Sequence, residues 1–424
     1  MYCFLTYVAL IVFLLVSGTA FLVYYTDVIG LNPVAWLMSE FAAANTASMV
    51  LFVGNPTNVV ICEGFRINNA AFTAYTFLPF LACSVACLLG LAIQFRDPEY
   101  VPRELKVTGR LNPREVLRDP RSALIGSLLL ASCLAVVIVL SFFHVDVWMV
   151  VLPFALAKFF IDITLDHHRH LIAKEKPDVI QPVKIDLKRI IKRSMTLPDL
   201  IPDVELKSAA DQIPSVCTSE SSKTTSEKQK RLFHETRQKY KVDERFHSLA
   251  THFPTVFTAI PRLPFGLVVF AFSQFILIEG LVNQGWIDIF AGWLVRVSHR
   301  QMIPTIWIVG VMGVLLCNIA GTNIGATILL TKVINAANMP NHITRAAAIS
   351  LAVASNIGAV SFTFSASLAG LLWVSILQQM NVHKITQVKF AIWNALPLLF
   401  MTGVGLAVVT VEMVVHYRGD LKDS

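Results

Sequence analysis

The sequence predicts an all-α polytopic membrane protein, and three observations carry that reading. Of the 424 residues, 55% are hydrophobic and only 15% charged, against about 45–50% and about 25% in soluble domains. The mean hydropathy is +0.62. Several stretches run for roughly 18 or more residues almost free of charge, the length that crosses a bilayer.

The first apolar block, "MYCFLTYVALIVFLLVSGTAFLVYY", extends from Cys3 to about Tyr25. It lacks a basic leader, and its apolar run exceeds that of an ordinary secretory signal, so it reads as a spanning or partly spanning helix. A second block runs from about Pro33 to Cys62 and a third from Ala70 to Phe95. After the charged loop "RDPEYVPRELKVTGRLNPREVLRDPR" come two more spans, about Ser122 to Phe143 and Trp148 to Leu165, joined by "HVD". The domain division is therefore an N-terminal membrane half over 1–165, a basic cytoplasmic loop over 166–262, a C-terminal membrane half over 263–416 and a tail over 417–424.

Within the long loop, "VCTSESSKTTSEKQKR" is too poor in apolar residues to pack and reads as disordered. "VKIDLKRIIKRS" alternates apolar and basic residues and suits a helix on the membrane surface or a solvated loop helix. Both charged loops are rich in Lys and Arg, and two spans separate them, which puts both in the cytoplasm. The same rule accounts for the net charge of +7. No nucleic-acid partner is implied, because the basic residues are juxtamembrane and lack interleaved aromatics. The seven cysteines contain no C-x-x-C pair, so neither a disulfide frame nor a zinc site is indicated. Cys83 and Cys87 share a helix face and read as packing residues. "DHHRH", Asp166 to His170, reads as a juxtamembrane polar cluster in preference to a metal site.

The chemistry concentrates at polar interruptions of apolar segments. "VGNPTNVVI" follows "SEFAAANTASMVLF" directly. Pro56 cannot continue a helix through Val53 but suits the first position of a new one, and Asn55 is a favoured N-cap. One helix is therefore expected to end near Gly54 and a half-helix to start at Asn55 within the membrane. A helix start there is a ready anion site, with Asn55, Thr57 and Asn58 adding donors and acceptors. The competing reading is a simple packing kink; three extra amide or hydroxyl side chains weigh against it. Irregular backbone at that depth survives only in protein or against a wet cavity.

The C-terminal half repeats this chemistry. "CNIAGTNIGAT" supplies Asn318, Thr322, Asn323 and Thr327 around two glycines and reads as the tip of a re-entrant hairpin. "ASNIGAVSFTFSASLAG" supplies Asn356, Gly358 and Ser367 among further hydroxyls. The alternative for each is a small-residue helix interface. Matching Asn45 with Asn356 lays "AAANTASMVLFVGNPTNVVI" over "AVASNIGAVSFTFSASLAGLLW". Paired interrupted segments in two halves point to a transporter's binding site. Among charged residues in apolar context, Glu40 or Glu279 could carry a coupling proton, whereas Lys158 and Asp162 suit a surface ion pair.

These motifs resemble the ion transporter superfamily, in particular its arsenite permease, citrate-transporter-like and sodium–proton antiporter branch. "AAANTASMVLFVGNPTNVVI" is similar to that branch's first-half signature, with G-N-P-x-N, and "ASNIGAVSFTFSASLAGLLW" to its second-half partner. The resemblance implies two inverted repeats with re-entrant hairpins and broken helices, and a small anion or oxyanion bound near the midplane and moved by alternating access. It assigns Asn45, Gly54, Asn55, Pro56, Thr57 and Asn58 to the first half of the site, and Asn318, Thr322, Asn323, Asn356, Gly358 and Ser367 to the second. It implies the lipid bilayer and an anionic solute as partners, a homodimer as a common assembly, no cofactor, and coupling to either sodium or a proton.

Two departures qualify it. The second signature has one extra residue after Asn356, and Ala366 stands where the family has Gly. The first half is short, with no N-D tip ahead of "SEFAAAN", so the first repeat is expected to be incomplete. That supports a second reading, a truncated and transport-incompetent protein with a scaffold or regulatory role. An enzyme is not expected: H-E-x-x-H, G-x-S-x-G and a phosphate-binding glycine loop are all missing from the sequence.

Overall fold

A computed structural model describes residues 18–102, 120–140, 147–175, 248–260, 265–380, 382 and 384–418. Most of the first apolar block, the basic surface-helix candidate and the serine-rich tract around Cys217 lie outside the described residues.

Local chemistry sets the helix starts. After α1 (residues 18–29), α2 spans Pro33–Ala47 and opens with Pro33 at its first position, while Asn32 accepts a hydrogen bond from the Val34 N–H. A short 3-10 turn over Phe52–Gly54 leads into α3, Pro56–Phe65, which closes at Arg66 in the left-handed region, φ 52°. Asn68 caps α4, Asn69–Gln94, by accepting from the Ala70 N–H. Next come α5, Pro120–Leu140, α6, Val147–Glu175, and the short α7, Pro254–Ala259.

In the C-terminal half, α8 (Phe265–Asn283) and α9 (Trp286–Ser298) meet at a 78° bend beside Gly285, whose φ is +74°. There follow α10, Met302–Ile319, α11, Asn323–Ala336, α12, Asn341–Gly358, α13, Leu368–Gln379, and α14, Gln387–His416. Among the described residues three helices, α4, α10 and α14, are each long and apolar enough to cross a membrane.

The chain divides into two compact units, one comprising Met1–Phe154 and Pro264–Ser424, the other Ala155–Leu263. In the first, α12 is the central element: residues 346–361 are buried throughout, and it packs on α2, α3, α4, α10, α11 and α14. Its alanines and serines permit that close approach from every side. Beside it α4 packs along α14. Gly90 brings backbone onto backbone, since a Cβ there would lie 3.0 Å from Pro397 Cα. Each of these helices carries an internal proline ten residues after its first residue, Pro79 and Pro397. Thus α2, break, α3 and α4 are followed in the second half by α12, break, α13 and α14 in the same order.

Candidate functional site

The first break begins earlier than expected. α2 ends at Ala47 and not near Gly54. The Ser48 hydroxyl turns back to the Asn45 carbonyl at 2.6 Å, and Asn58 Nδ2 donates to the carbonyls of Ser48 and Leu51, both at 2.9 Å. Those carbonyls are thereby taken by a side chain instead of the helix ladder. Gly54 closes the turn: a Cβ on it would lie 2.2 Å from the Ser48 carbonyl oxygen. Asn55 then takes an extended backbone (φ −146°, ψ 140°) and its Oδ1 accepts from the Thr57 N–H at 3.2 Å, with Pro56 opening α3. This is the N-cap and proline start that the sequence predicts.

The second break follows the same plan. α12 ends at Gly358, where a Cβ would lie 2.7 Å from Cys317 Sγ on α10. The chain unwinds over 361–363, forms a 3-10 turn at Phe364–Ala366, and passes through Ser367 at φ −141°, ψ 151°. Ser367 Oγ accepts from the Gly370 N–H at 3.0 Å and so caps α13. Ala366 stands where Gly54 stands in the first half. Asn45 and Asn356 each sit two residues before their helix end and donate Nδ2 to the carbonyl four residues back, both at 2.8 Å. The extra residue of the second signature falls in the unwound stretch.

At the hairpin tip, Gly321 takes φ +72° and Thr322 caps α11 by accepting from the Ile324 N–H at 3.2 Å. Asn318 uses the same device as Asn45 and Asn356: Nδ2 donates to Val314 O at 3.0 Å. Its Oδ1 accepts from the Phe362 N–H at 2.8 Å, tying the tip to the second break.

One amide joins the two breaks. Asn356 Nδ2 also donates to Asn58 Oδ1 at 2.8 Å. Its Oδ1 accepts from Asn55 Nδ2 at 3.1 Å and, at 2.8 Å, from Ser48 Oγ, whose single proton is shared with the Asn45 carbonyl. Both its donors and both its lone pairs are thus engaged. Alongside, Ser355 Oγ donates to Thr57 Oγ1 at 3.2 Å. The start of α3 therefore abuts the end of α12, which abuts the end of α10, from which α11 begins. The later turns of α3 and α11 also touch, since Asn335 Nδ2 donates to Gly64 O at 3.1 Å. The two helices consequently run parallel with their N-termini at one level.

Among the described residues no Lys or Arg is buried, and the one buried charged residue, Asp166, belongs to the other unit. Positive potential at the breaks comes from the starts of α3, α11 and α13. Of the residues singled out in the sequence, Asn55, Pro56, Thr57, Asn58, Asn318, Asn356 and Gly358 form one contiguous cluster. Thr322 and Ser367 cap the neighbouring helix starts, and Asn323 occupies the first position of α11, 2% exposed. Gly54 shapes the first turn. Asn45 reaches the cluster only through its own carbonyl and Ser48.

Sequence reasoning missed Ser48, Gln387 and Asn394. Gln387 Nε2 donates to Phe362 O at 2.7 Å, and Asn394 Nδ2 to Ser361 O at 3.0 Å. These two amides lie seven residues apart in α14, on one face of a largely apolar helix. That spacing was the available signal.

The charged residues singled out in apolar context have structural partners. Glu40 accepts from Thr19 Oγ1 and Trp373 Nε1. Glu279 pairs with Lys332 at 3.0 Å, and Lys158 with Asp162. In the second unit, the Asp166 carboxylate accepts from the Thr255 N–H at 2.8 Å and its hydroxyl at 2.7 Å, which caps α7. His167 Nδ1 lies 2.7 Å from His252 Nε2. Partial burial, with His170 and His167 alongside, holds the His252 imidazole below its ordinary range. Among the described residues, no group of three or more His, Cys, Asp and Glu is placed to hold a metal.

No curated protein and no solved structure matches the chain. Residues 2–169, which include the whole first break, match the citrate transporter family model. That partial match and the apolar helices support an integral, multi-pass membrane protein, and the match is consistent with the ion transporter superfamily that its motifs resemble.

Proposed function

We propose that the protein is a secondary active transporter of a small carboxylate anion of the citrate class, moved by alternating access. The observation that carries this reading is the set of three capped helix starts, α3 at Asn55, α11 at Thr322 and α13 at Ser367, in a region with no buried side-chain cation among the described residues. A helix start leaves four N–H groups without an intrahelical partner. Each cap side chain takes one, and the others can face carboxylate oxygens, whose charge suits the positive end of the dipole. A site built of dipoles and amides holds an anion less tightly than one with a buried arginine, which favours release on the far side. The coupling ion, sodium or a proton, belongs to the same proposal.

Asn323 is the side chain best placed to meet the solute: its amide has no hydrogen-bond partner among the described residues and stands at the start of α11. The test is uptake of radiolabelled citrate into proteoliposomes under imposed sodium and proton gradients, with arsenite run in parallel. Saturable, gradient-driven citrate uptake that Asn323→Ala lowers by about tenfold or more, as loss of a solute hydrogen bond to a polar site would give, supports the reading. Arsenite flux alone would move the substrate class to oxyanions. No flux of either by correctly inserted protein would overturn the transporter reading in favour of a scaffold.

A further inference from the structure

Among the described residues, several helical threonines satisfy their hydroxyls in one way. Thr46, Thr76, Thr164, Thr305, Thr402 and Thr410 each donate their hydroxyl to the carbonyl four residues back, at 2.6–2.9 Å. This is the usual way for a helical hydroxyl to be satisfied in an apolar setting. Thr327 and Thr331 on α11 do not do so. Their Oγ1 atoms are fully buried without a partner, in residues 0% and 5% exposed. Buried polar atoms left unpaired are rare enough to require an explanation.

Their position suggests one. Thr327, Thr331 and Asn335 follow at intervals of four and share a face of α11, and Asn323 precedes them by the same interval. That face meets α3: a Cβ on Gly64 would lie 2.4 Å from Thr331 Cγ2, and Asn335 donates to Gly64 O. The row therefore leads from Asn335 and Gly64, both exposed, to Asn323 at the helix starts, through two unpaired hydroxyls. The exposed end lies away from the cytoplasm. α4 begins shortly after α3 ends and runs to the Lys- and Arg-rich loop, which the charge rule places inside. Beside Thr331, the exposed ion pair Lys332–Glu279 suits an aqueous outer surface.

We propose that the seam between α3 and α11 is the outward access path to the anion site, a closed contact that opens to admit water and solute along Thr331, Thr327 and Asn323. In the closed contact the two hydroxyls have no partner; in the open one they are hydrated or meet solute oxygens. A permanently sealed helix pair has no reason to leave them unpaired, and the six other threonines show how such a pair would satisfy them. The proposal rests on the transporter reading above.

The experiment is cysteine accessibility in oriented proteoliposomes. Thr327→Cys and Thr331→Cys are exposed from the outer side to a membrane-impermeant cationic methanethiosulfonate, with Thr76→Cys as the sealed control. The background is the chain with Cys3 and Cys217 replaced by Ser, whose five remaining cysteines, Cys62, Cys83, Cys87, Cys133 and Cys317, are all buried. Modification is read by intact mass, so it does not depend on whether citrate is carried. The expected result is labelling of both sites from outside about tenfold or more faster than the control, as a minor open population would give. Slowing by citrate would add that the path serves the solute.

Labelling no faster than the control, or only from the cytoplasmic side, overturns the path. Should the cysteine variants fail to insert, Thr327→Val with Thr331→Val decides: outward uptake lowered about tenfold or more in folded protein supports a hydrated path, and unchanged uptake refutes it. Labelling without citrate flux would strike the substrate class and leave the seam standing.

Discussion

The two breaks share a plan and differ in what holds them. In the first, the unwound carbonyls of Ser48 and Leu51 are taken by Asn58, a residue of the same segment. In the second, the unwound backbone is held from outside: Asn318 of α10 takes the Phe362 N–H, and Gln387 and Asn394 of α14 take the carbonyls of Phe362 and Ser361. The first break is thus a self-contained fold of the chain, whereas the second is shaped by its neighbours. A shift of the hairpin should therefore reach the second break directly through Asn318. It should reach the first through the α3–α11 seam and through Asn356, the amide that both breaks share.

That places the largest effect at Asn356. Asn356→Ala removes the partner of Asn55, Asn58 and Ser48 at once, in a fully buried position. Each buried group left unpaired costs about 1–3 kcal/mol. The expected outcome is a loss on the order of 3–5 kcal/mol, seen as a large drop in thermal unfolding temperature in detergent, with citrate uptake abolished. If Asn356→Ala unfolds no earlier than Asn45→Ala, the two halves are not joined through this residue and the comparison fails.

Next in size are the two glycines that tighten the breaks. A Cβ on Gly54 would meet the Ser48 carbonyl at 2.2 Å, and one on Gly370 the Phe364 carbonyl at 2.3 Å. Both obstacles are backbone, so relief requires moving the turn itself. Gly54→Ala and Gly370→Ala are each expected to cost about 1–3 kcal/mol as overpacking, measured by thermal unfolding. The self-contained first break has fewer ways to yield, so Gly54→Ala should be the worse of the two. The reverse order would show that the outside clamps stiffen the second break more than the internal ones stiffen the first.

The clamps themselves give a smaller effect. Gln387→Leu and Asn394→Leu each free one carbonyl of the second break, with an expected cost of about 1–3 kcal/mol. Hydrogen–deuterium exchange should then rise over 361–367 and stay unchanged over 48–55. Equal loosening of both breaks would contradict the separation drawn here.

How far these features could be read from the sequence follows the same division. The starts of α3 and α11 were legible because a cap and its N–H lie within two residues of each other, and Pro56 marks its own helix position. The pairing of Asn45 with Asn356 was legible from small-residue context, and the structure gives the two the same backbone hydrogen bond. The end of α2 was not, because it depends on Asn58 reaching back ten residues to Ser48, and no local propensity records that. Nor was the clamping by Gln387 and Asn394, since a single amide in an apolar span reveals its partner only once α14 is packed. The match between Pro79 and Pro397 was open to inspection but has meaning only when α4 and α14 are side by side.

The smallest effect on stability separates structure from solute binding. Asn55 is tied on both sides, to the Thr57 N–H through Oδ1 and to Asn356 through Nδ2, while Asn323 at the equivalent helix start has no partner among the described residues. Asn55→Ala should cost about 0.5–2 kcal/mol as a lost cap, and Asn55→Ser should recover part of it by restoring an acceptor. Asn323→Ala should lower the unfolding temperature least of these variants, because it loses packing but no protein hydrogen bond. Its effect should fall mainly on citrate uptake, as a raised KM, since an amide that serves only the solute is missed only when solute binds. Wild-type uptake in Asn323→Ala would mean that the free amide faces no solute, and the anion would then be held by the helix starts without it.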